Sequence, residues 1–236
     1  MALLEIRGVR VRFGGVMAVG GVDLDVQAGE ITGLIGPNGA GKTTLFNVIS
    51  GMQDPTAGMV SVNGVDISHE SPHRRAKRGL ARTFQRLELF ASLTVRDNVR
   101  VAAELASLTN IDSTVNRLLE KVGVSDLADK TAGELPTGSA RLVEIARALA
   151  TGPQLLLLDE PASGLDDSES DRLGKLLREL TGEGLGVLLV EHDMSLVMRV
   201  CDSIYVLDLG MIIAHGTPES IQRDPDVLQA YLGAPS

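Results

Sequence analysis

The sequence predicts an α/β fold: a mostly parallel sheet covered by helices, with an antiparallel β layer near the N-terminus and a helical insertion at about residues 86–150. Three observations carry that reading. An apolar run, Ile31 to Ile35, leads into a glycine-rich turn and then a helix start at Thr44-Leu45-Phe46. Two further apolar runs, Leu155 to Leu158 and Val187 to Val190, alternate with helical patterns (Leu142, Ile145, Ala146, Leu149, then Leu173, Leu176, Leu177, Leu180), as strands buried on both faces of a parallel sheet do. Residues 3–35 instead alternate with a period of two through Leu4, Ile6, Val9, Val11 and Phe13, then Val22, Leu24 and Val26.

Along the chain, Gly14-Gly15 and Gly20-Gly21 read as breaks in that alternation, and Asn63-Gly64 as the turn of a hairpin over 57–67. Ser71-Pro72 reads as an N-cap and first helical position ahead of His73-Arg74-Arg75-Ala76-Lys77-Arg78, with Arg82 beyond. That basic cluster is either a solvated helix face or a contact for an anionic membrane surface or acidic partner. Thr94-Val95-Arg96-Asp97 is a capping-box variant before Val99, Ala102, Ala103 and Ala106, and Val115, Leu118, Leu119 and Val122 follow before a stop at Gly123.

The 236 residues are 44% hydrophobic, enough for a large core. Apolar runs stay far below the roughly 20 residues of a membrane helix. A carboxylate and a base in Met1-Ala2-Leu3-Leu4-Glu5-Ile6-Arg7 argue against a secretory leader. The single cysteine, Cys201, lies among Val200, Ile204 and Val206 and reads as a small core residue rather than a nucleophile. A net charge of −9 disfavours nonspecific nucleic-acid binding, which wants a basic face.

The turn after Ile35 is Gly36-Pro37-Asn38-Gly39-Ala40-Gly41-Lys42-Thr43, a match to G-x-x-x-x-G-K-[ST] between a strand and a helix. Glycines let the backbone wrap an anion, so that successive N–H groups and the helix N-terminus meet phosphate oxygens. Lys42 is placed to reach the β- and γ-phosphates, the Thr43 hydroxyl to ligate Mg²⁺, and Thr44 to continue the cradle. Leu155 to Leu158 ends in Asp159-Glu160, beyond the carboxyl end of a strand where open parallel sheets bind ligands. Asp159 is placed to hold Mg²⁺, directly or through water, and Glu160 to orient the attacking water and accept its proton. A third strand closes on Glu191-His192-Asp193. His192, and Gln85 in Arg82-Thr83-Phe84-Gln85, gain weight only from the order in which they fall.

That order, phosphate loop, glutamine, a short L-x-x-G-x segment opening a helix, Asp-Glu, Ser163-Gly164-Leu165-Asp166, then a strand-ending histidine, resembles the ATP-binding subunit of ABC transporters across essentially the whole chain. The resemblance implies a P-loop NTPase, RecA-like core in one domain over 1–236: an antiparallel β layer at about 1–30 and 57–82, a helical subdomain at about 86–150, and a tail from about 216. It implies ATP and Mg²⁺ as cofactors, Phe13 stacking on adenine (a buried strand residue is the alternative), Gln85 sensing Mg²⁺ and the membrane partner, and His192 touching the γ-phosphate. Leu135-Pro136-Thr137-Gly138-Ser139 is similar to the signature segment that covers the opposite subunit's ATP, and Asp166 to the loop that communicates across a head-to-tail dimer.

Narrower blocks, Phe13-Gly14-Gly15, Arg82 to Gln85, Glu191 to Met194, and the tail from His215-Gly216-Thr217-Pro218 to Tyr231-Leu232-Gly233, resemble the ATPases of branched-chain amino acid importers, whose relatives also serve urea and short amides. The helical segment reads as shorter than in many of them. The implied partners are integral membrane permease subunits, a second ATP-binding subunit and an extracytoplasmic solute-binding protein. The implied location is the cytoplasmic face of the membrane, held peripherally. A lipid or polysaccharide exporter and a weakly hydrolysing nucleotide switch are the alternatives. Where the family reads L-S-G-G-Q, Pro136 replaces the serine and Ser139 the glutamine. Proline offers neither a hydroxyl nor an N–H. A helix beginning near Ser139 still points its positive end at phosphate, and the Thr137 hydroxyl is the nearest substitute.

Overall fold

Strand alternation over residues 4–26 produces one long hairpin, β1 (Leu4–Phe13) and β2 (Val16–Val26), turning at Gly14-Gly15. In the computed structural model, which describes residues 2–232, β4 (Ala57–Val62) and β5 (Val65–Asp66) complete a four-stranded antiparallel sheet in the order β2-β1-β4-β5. Asn63 and Gly64 join the last pair with φ of 51° and 74°, the left-handed pair that a tight hairpin turn requires. Gly20-Gly21 does not break the hairpin as the sequence suggests. β2 runs through it, with irregular register opposite Val9 and Arg10. A Cβ at Gly20 would lie 2.6 Å from the Met211 sulfur, so close packing explains that glycine.

A second sheet of six strands, in the order β10-β9-β3-β8-β7-β6, holds β3 (Ile31–Ile35), β6 (Leu80–Arg82), β7 (Leu155–Asp159), β8 (Gly186–Val190), β9 (Ser203–Asp208) and β10 (Met211–Gly216). Its pairings are parallel except β9 with β10. Every residue of β3, β7 and β8 is buried. Alternate side chains enter different cores: Leu155, Leu157, Leu188 and Val190 face the antiparallel layer and helix α1 (Lys42–Ser50), while Leu156, Leu158, Val187 and Leu189 join the core built with the remaining helices. Burial on both faces is why these runs read as continuous leucine and valine.

β6 corrects the antiparallel layer that the sequence predicts as far as residue 82. Residues 80–82 pair in parallel with Leu155–Leu157 as an edge of the six-stranded sheet. Helix α2 (Pro72–Lys77) and left-handed Gly79 (φ 85°) turn the chain away from the first sheet, and Leu80 and Ala81 are buried in the second. The basic cluster on α2 is not uniformly a solvated or membrane-facing surface either. Arg75 is fully buried and donates to the carbonyls of Val48, Ile49, Ser68 and Glu70, and Arg78 pairs with Glu70.

The helical insertion is α3 (Val95–Leu105), α4 (Ile111–Lys121) and α5 (Thr137–Leu149), preceded by an irregular stretch over 83–94. Thr94 caps α3 by accepting from the Asp97 N–H, as its spacing predicts. α5 begins at Thr137 with Pro136 as N-cap, two residues earlier than expected. Helices α6 (Asp167–Gly182) and α7 (Met194–Val200) cover the sheet, and α8 (Pro218–Ile221) and α9 (Pro225–Leu232) form the tail. Gly233, part of the tail block, lies outside the described residues.

Candidate active site

The loop 36–43 joins β3 to α1 by three glycines with positive φ: Gly36 at 151°, Gly39 at 81° and Gly41 at 109°. A Cβ at Gly36 would lie 1.9 Å from the Leu207 carbonyl oxygen and one at Gly41 2.5 Å from that of Ala18, so backbone packing as well as φ demands glycine. Pro37, Asn38 and Gly39 form the outer rim, Ala40 and Lys42 are buried, Thr43 is exposed and Thr44 partly so. Lys42 Nζ donates to the carbonyls of Gly36 (2.6 Å) and Pro37 (3.0 Å). Burial lowers the Lys42 pKa while Glu160 and Asp159 oppose the shift, so the ammonium lies in the field of both carboxylates.

The ends of β6, β7 and β8 converge there. Glu160 occupies a left-handed conformation (φ 50°), uncommon and strained for a residue with a side chain. Its two carboxylate oxygens are both held: Oε2 accepts from Gln85 Nε2 at 2.9 Å, and Oε1 lies 2.6 Å from His192 Nε2. Asp159 is buried, which pushes its carboxyl above the ordinary range, while Arg82 at 3.0 Å pulls it back. Glu191, buried beneath, accepts from the N–H groups of Ala162 (2.6 Å) and His192 (3.0 Å), which ties the loop after Glu160 to the residue bearing the histidine.

The structure thus brings Lys42, Asp159, Glu160, Gln85 and His192 together. Leu135–Ser139 and Asp166 form a separate group, with no hydrogen bond or ion pair to the first among the described residues. Pro136 and Thr137 are exposed, Gly138 is buried, and a Cβ at Gly138 would fall 2.2 Å from Glu169 Oε1. Asp166 caps α6 in a reciprocal capping box with Glu169. Phe13 is 51% exposed at the end of β1, which excludes the buried-strand alternative.

With this geometry in place, the sequence model described as "ABC transporter" matches residues 19–163. The chain belongs to the ABC transporter ATP-binding family. A second model, "Branched-chain amino acid ATP-binding cassette transporter", matches residues 211–235 of this ABC chain. It is 41% identical, over 98% of each chain, to the high-affinity branched-chain amino acid transport ATP-binding protein BraF of Pseudomonas aeruginosa. It is 37% identical, over 99% of its own length and 98% of the other's, to the lipopolysaccharide export system ATP-binding protein LptB of Escherichia coli. Among solved structures, the ADP conformation of MJ1267, an ATP-binding cassette of an ABC transporter, superposes with a TM-score of 0.90 at 32% identity, covering 99% of this chain and 100% of that one. The ABC chain is therefore a nucleotide-binding ATPase of a transport system, and none of its described helices is long and apolar enough to cross a membrane.

Two arginines of this ABC cassette were not assigned to the site from sequence. Arg82, read as part of a basic cluster, is buried beside Asp159. Arg141, on α5 just after the signature segment, donates to the carbonyls of Phe84 (2.9 Å) and Gln85 and pairs with Glu144 at 3.2 Å. It links the helix of the signature segment to the stretch that carries Gln85. No local signal separates either arginine from a surface base.

Proposed function

We propose that this chain is the ATP-hydrolysing subunit of an importer of branched-chain or other hydrophobic amino acids, or of urea and short amides. It works at the cytoplasmic face of the membrane through integral membrane permease subunits that receive solute from an extracytoplasmic binding protein. The observation that carries the solute class is the match of residues 211–235 to the branched-chain amino acid family, in a chain whose whole length aligns with BraF.

The loop fits ATP phosphates, since its glycines keep the backbone free of side chains and Lys42 lies beneath it with only carbonyl partners to exchange for phosphate oxygens. The donor set for Mg²⁺ is the Thr43 hydroxyl, the Asp159 carboxylate and the Gln85 amide oxygen, all hard oxygens. Among the described residues no group of three or more His, Cys, Asp or Glu is placed to hold a metal. Phosphate oxygens and water would supply the remaining ligands, as Mg²⁺ ordinarily takes them. When bound, Mg²⁺ neutralises charge across the β- and γ-phosphates.

Glu160 takes the proton of the attacking water. Gln85 and His192 hold its two oxygens in place, and His192, exposed beside it, also meets the γ-phosphate. Phe13 stacks on the adenine. A second ATP-binding subunit, docked head to tail, brings its Leu135–Ser139 segment over the nucleotide, with Thr137 standing in for the missing serine hydroxyl and the Asp166 loop at the junction. ATP closes the pair and hydrolysis releases it.

The motion passes to the permease through an apolar groove of about 1030 Å³ lined by Met52, Phe84, Phe90, Val101, Leu105 and Arg147, in which Leu105 is 82% exposed. It lies between the Gln85 stretch and α3, and suits a cytoplasmic helix of the membrane subunit.

The test is uptake of labelled leucine, isoleucine, valine, urea and short amides in a native host lacking this chain, complemented with wild type or Glu160→Gln. Loss of one solute's uptake, restored by wild type alone, is expected. Normal uptake of every solute, once redundant importers are deleted, overturns import. The 37% identity to LptB favours one second reading, a lipid or polysaccharide exporter, for which the same strain would accumulate its cargo inside the membrane instead.

A further inference from the structure

Arg82 ends β6, three residues before Gln85, and its guanidinium joins three elements of the site. Nη2 donates to Asp159 Oδ2 at 3.0 Å, and Nη1 donates to Asn47 Oδ1 at 2.7 Å and Ser50 Oγ at 2.9 Å. Its carbon lies over the Phe46 ring at 5.5 Å and the Phe84 ring at 5.0 Å. The side chains of Arg82 and Asp159 are only 7% and 4% exposed, so solvent neither competes for the pair nor screens it strongly. Asn47 and Ser50 stand four and seven residues after Thr43 on α1, and therefore on the same helix face as that hydroxyl. The guanidinium is rigid and planar, so its two arms fix the distance between the α1 face bearing Thr43 and the end of β7 bearing Asp159. Only one oxygen of Asp159 is taken. The other has no hydrogen-bond partner among the described residues.

We propose that Arg82 is a positioning residue that sets the Thr43–Asp159 gap and aims the free Asp159 oxygen, so that this chain grips the Mg²⁺ of the bound nucleotide. The proposal rests on the reading that Thr43 and Asp159 hold that ion. It assigns to Arg82 the tuning of metal affinity by a partner outside the metal's own shell, an effect whose loss typically costs about 10- to 100-fold. Arg82→Lys does not reproduce it, because an ammonium cannot reach Asp159 and the two α1 acceptors as a fork.

The test measures binding of fluorescent mant-ADP to the full chain across a Mg²⁺ titration and in EDTA, for wild type, Arg82→Met and Asn47→Ala/Ser50→Ala. Thermal melting of each protein is recorded alongside. Wild type binds more tightly as Mg²⁺ is added. In Arg82→Met the affinity in EDTA stays within about twofold of wild type, while the Mg²⁺ concentration giving half of the gain rises about tenfold or more. The double variant, which keeps Arg82 and Asp159 and cuts only the tether to α1, shifts the same way by a smaller factor. An unchanged Mg²⁺ half-point in both folded variants overturns the proposal. So does an equal loss of affinity with and without Mg²⁺, which would make Arg82 a merely structural residue. If wild type itself shows no Mg²⁺ dependence, the assignment of Thr43 and Asp159 to the metal fails first, and that result is told apart from the others by the wild-type curve alone.

Discussion

Replacing Arg75 with methionine removes a charge that the fold has sealed in without any carboxylate touching it. Its guanidinium donates to the carbonyls of Val48 (2.5 Å), Ile49 (2.7 Å), Ser68 (2.8 Å) and Glu70 (2.9 Å), and the residue is fully buried. Val48 and Ile49 belong to the last turn of α1, whose carbonyls carry the negative end of the helix dipole, so the cation sits where that end needs one. Burial pushes the Arg75 pKa down, but an arginine has ample margin to stay charged. Methionine fills much of the volume and satisfies none of the four acceptors. Val48 O keeps the Gly51 N–H at 3.2 Å, so three carbonyls are stranded; each costs about 1–3 kcal/mol, and because they are coupled and water can enter, the sum is below the simple total. We expect a loss of about 3–5 kcal/mol, toward the low end of the simple total for three buried carbonyls left without a donor. At about 2–4 °C per kcal/mol for a chain of this size, the melting temperature falls by roughly 10 °C. Equilibrium urea unfolding with an unchanged slope measures it. A loss under about 1 kcal/mol would refute the reasoning, since it would mean that the helix end and the loop at Ser68–Glu70 find other partners at little cost.

Three further outcomes follow from other parts of the molecule. Gly138→Ala puts a methyl 2.2 Å from Glu169 Oε1, so the Glu169 side chain must swing out of its capping box with Asp166; urea unfolding should show a loss of about 0.5–2 kcal/mol that shrinks in a Glu169→Ala background, and an equal loss in both backgrounds would discard the contact as the cause. Burial holds the Cys201 thiol up at about 12, so a thiol reagent at mildly alkaline pH should label the native protein only at its unfolding rate, and prompt labelling would contradict the buried placement. Burial also raises the Glu191 carboxyl above its ordinary 4.5. The native state therefore binds more protons than the unfolded state between the two values, and stability drops as pH rises from 4.5 through the folded value. Urea midpoints across that window should show a smaller drop in Glu191→Gln, and an equal drop in both proteins would place the titration elsewhere.

The parts of this fold that local sequence dictates were legible. Ile31–Ile35, Leu155–Leu158 and Val187–Val190 are unbroken apolar because each strand feeds two cores, and the glycines at 36, 39 and 41 follow from one backbone path. Gln85 and His192 were legible only through the order of motifs, since the grip on Glu160 joins residues 75 and 32 positions apart. What failed was set by distant partners. β6 is three residues, too short for any period to show, and its pairing with β7 decides its sheet. β10 is only partly buried and its pattern does not alternate cleanly, whereas the buried run Ile204–Leu207 of β9 carries the same apolar signal as β7 and β8 and was legible. Gly20-Gly21 imitates a turn, yet it answers to Met211 across the structure. Arg75 and Arg82 sit in a run of bases that looks solvated, and only the carbonyls and side chains of α1 and β7 reveal that they are inside.

The central claim is that Glu160, held by Gln85 and His192, is the base for ATP hydrolysis. It is tested most directly by measuring ATP turnover and ATP affinity of the chain purified with its membrane subunits, for wild type and Glu160→Gln. Glutamine keeps the size of the side chain but cannot take a proton. The account predicts unchanged ATP affinity with turnover lowered by about 10²- to 10⁴-fold. Turnover in Glu160→Gln equal to wild type would contradict it.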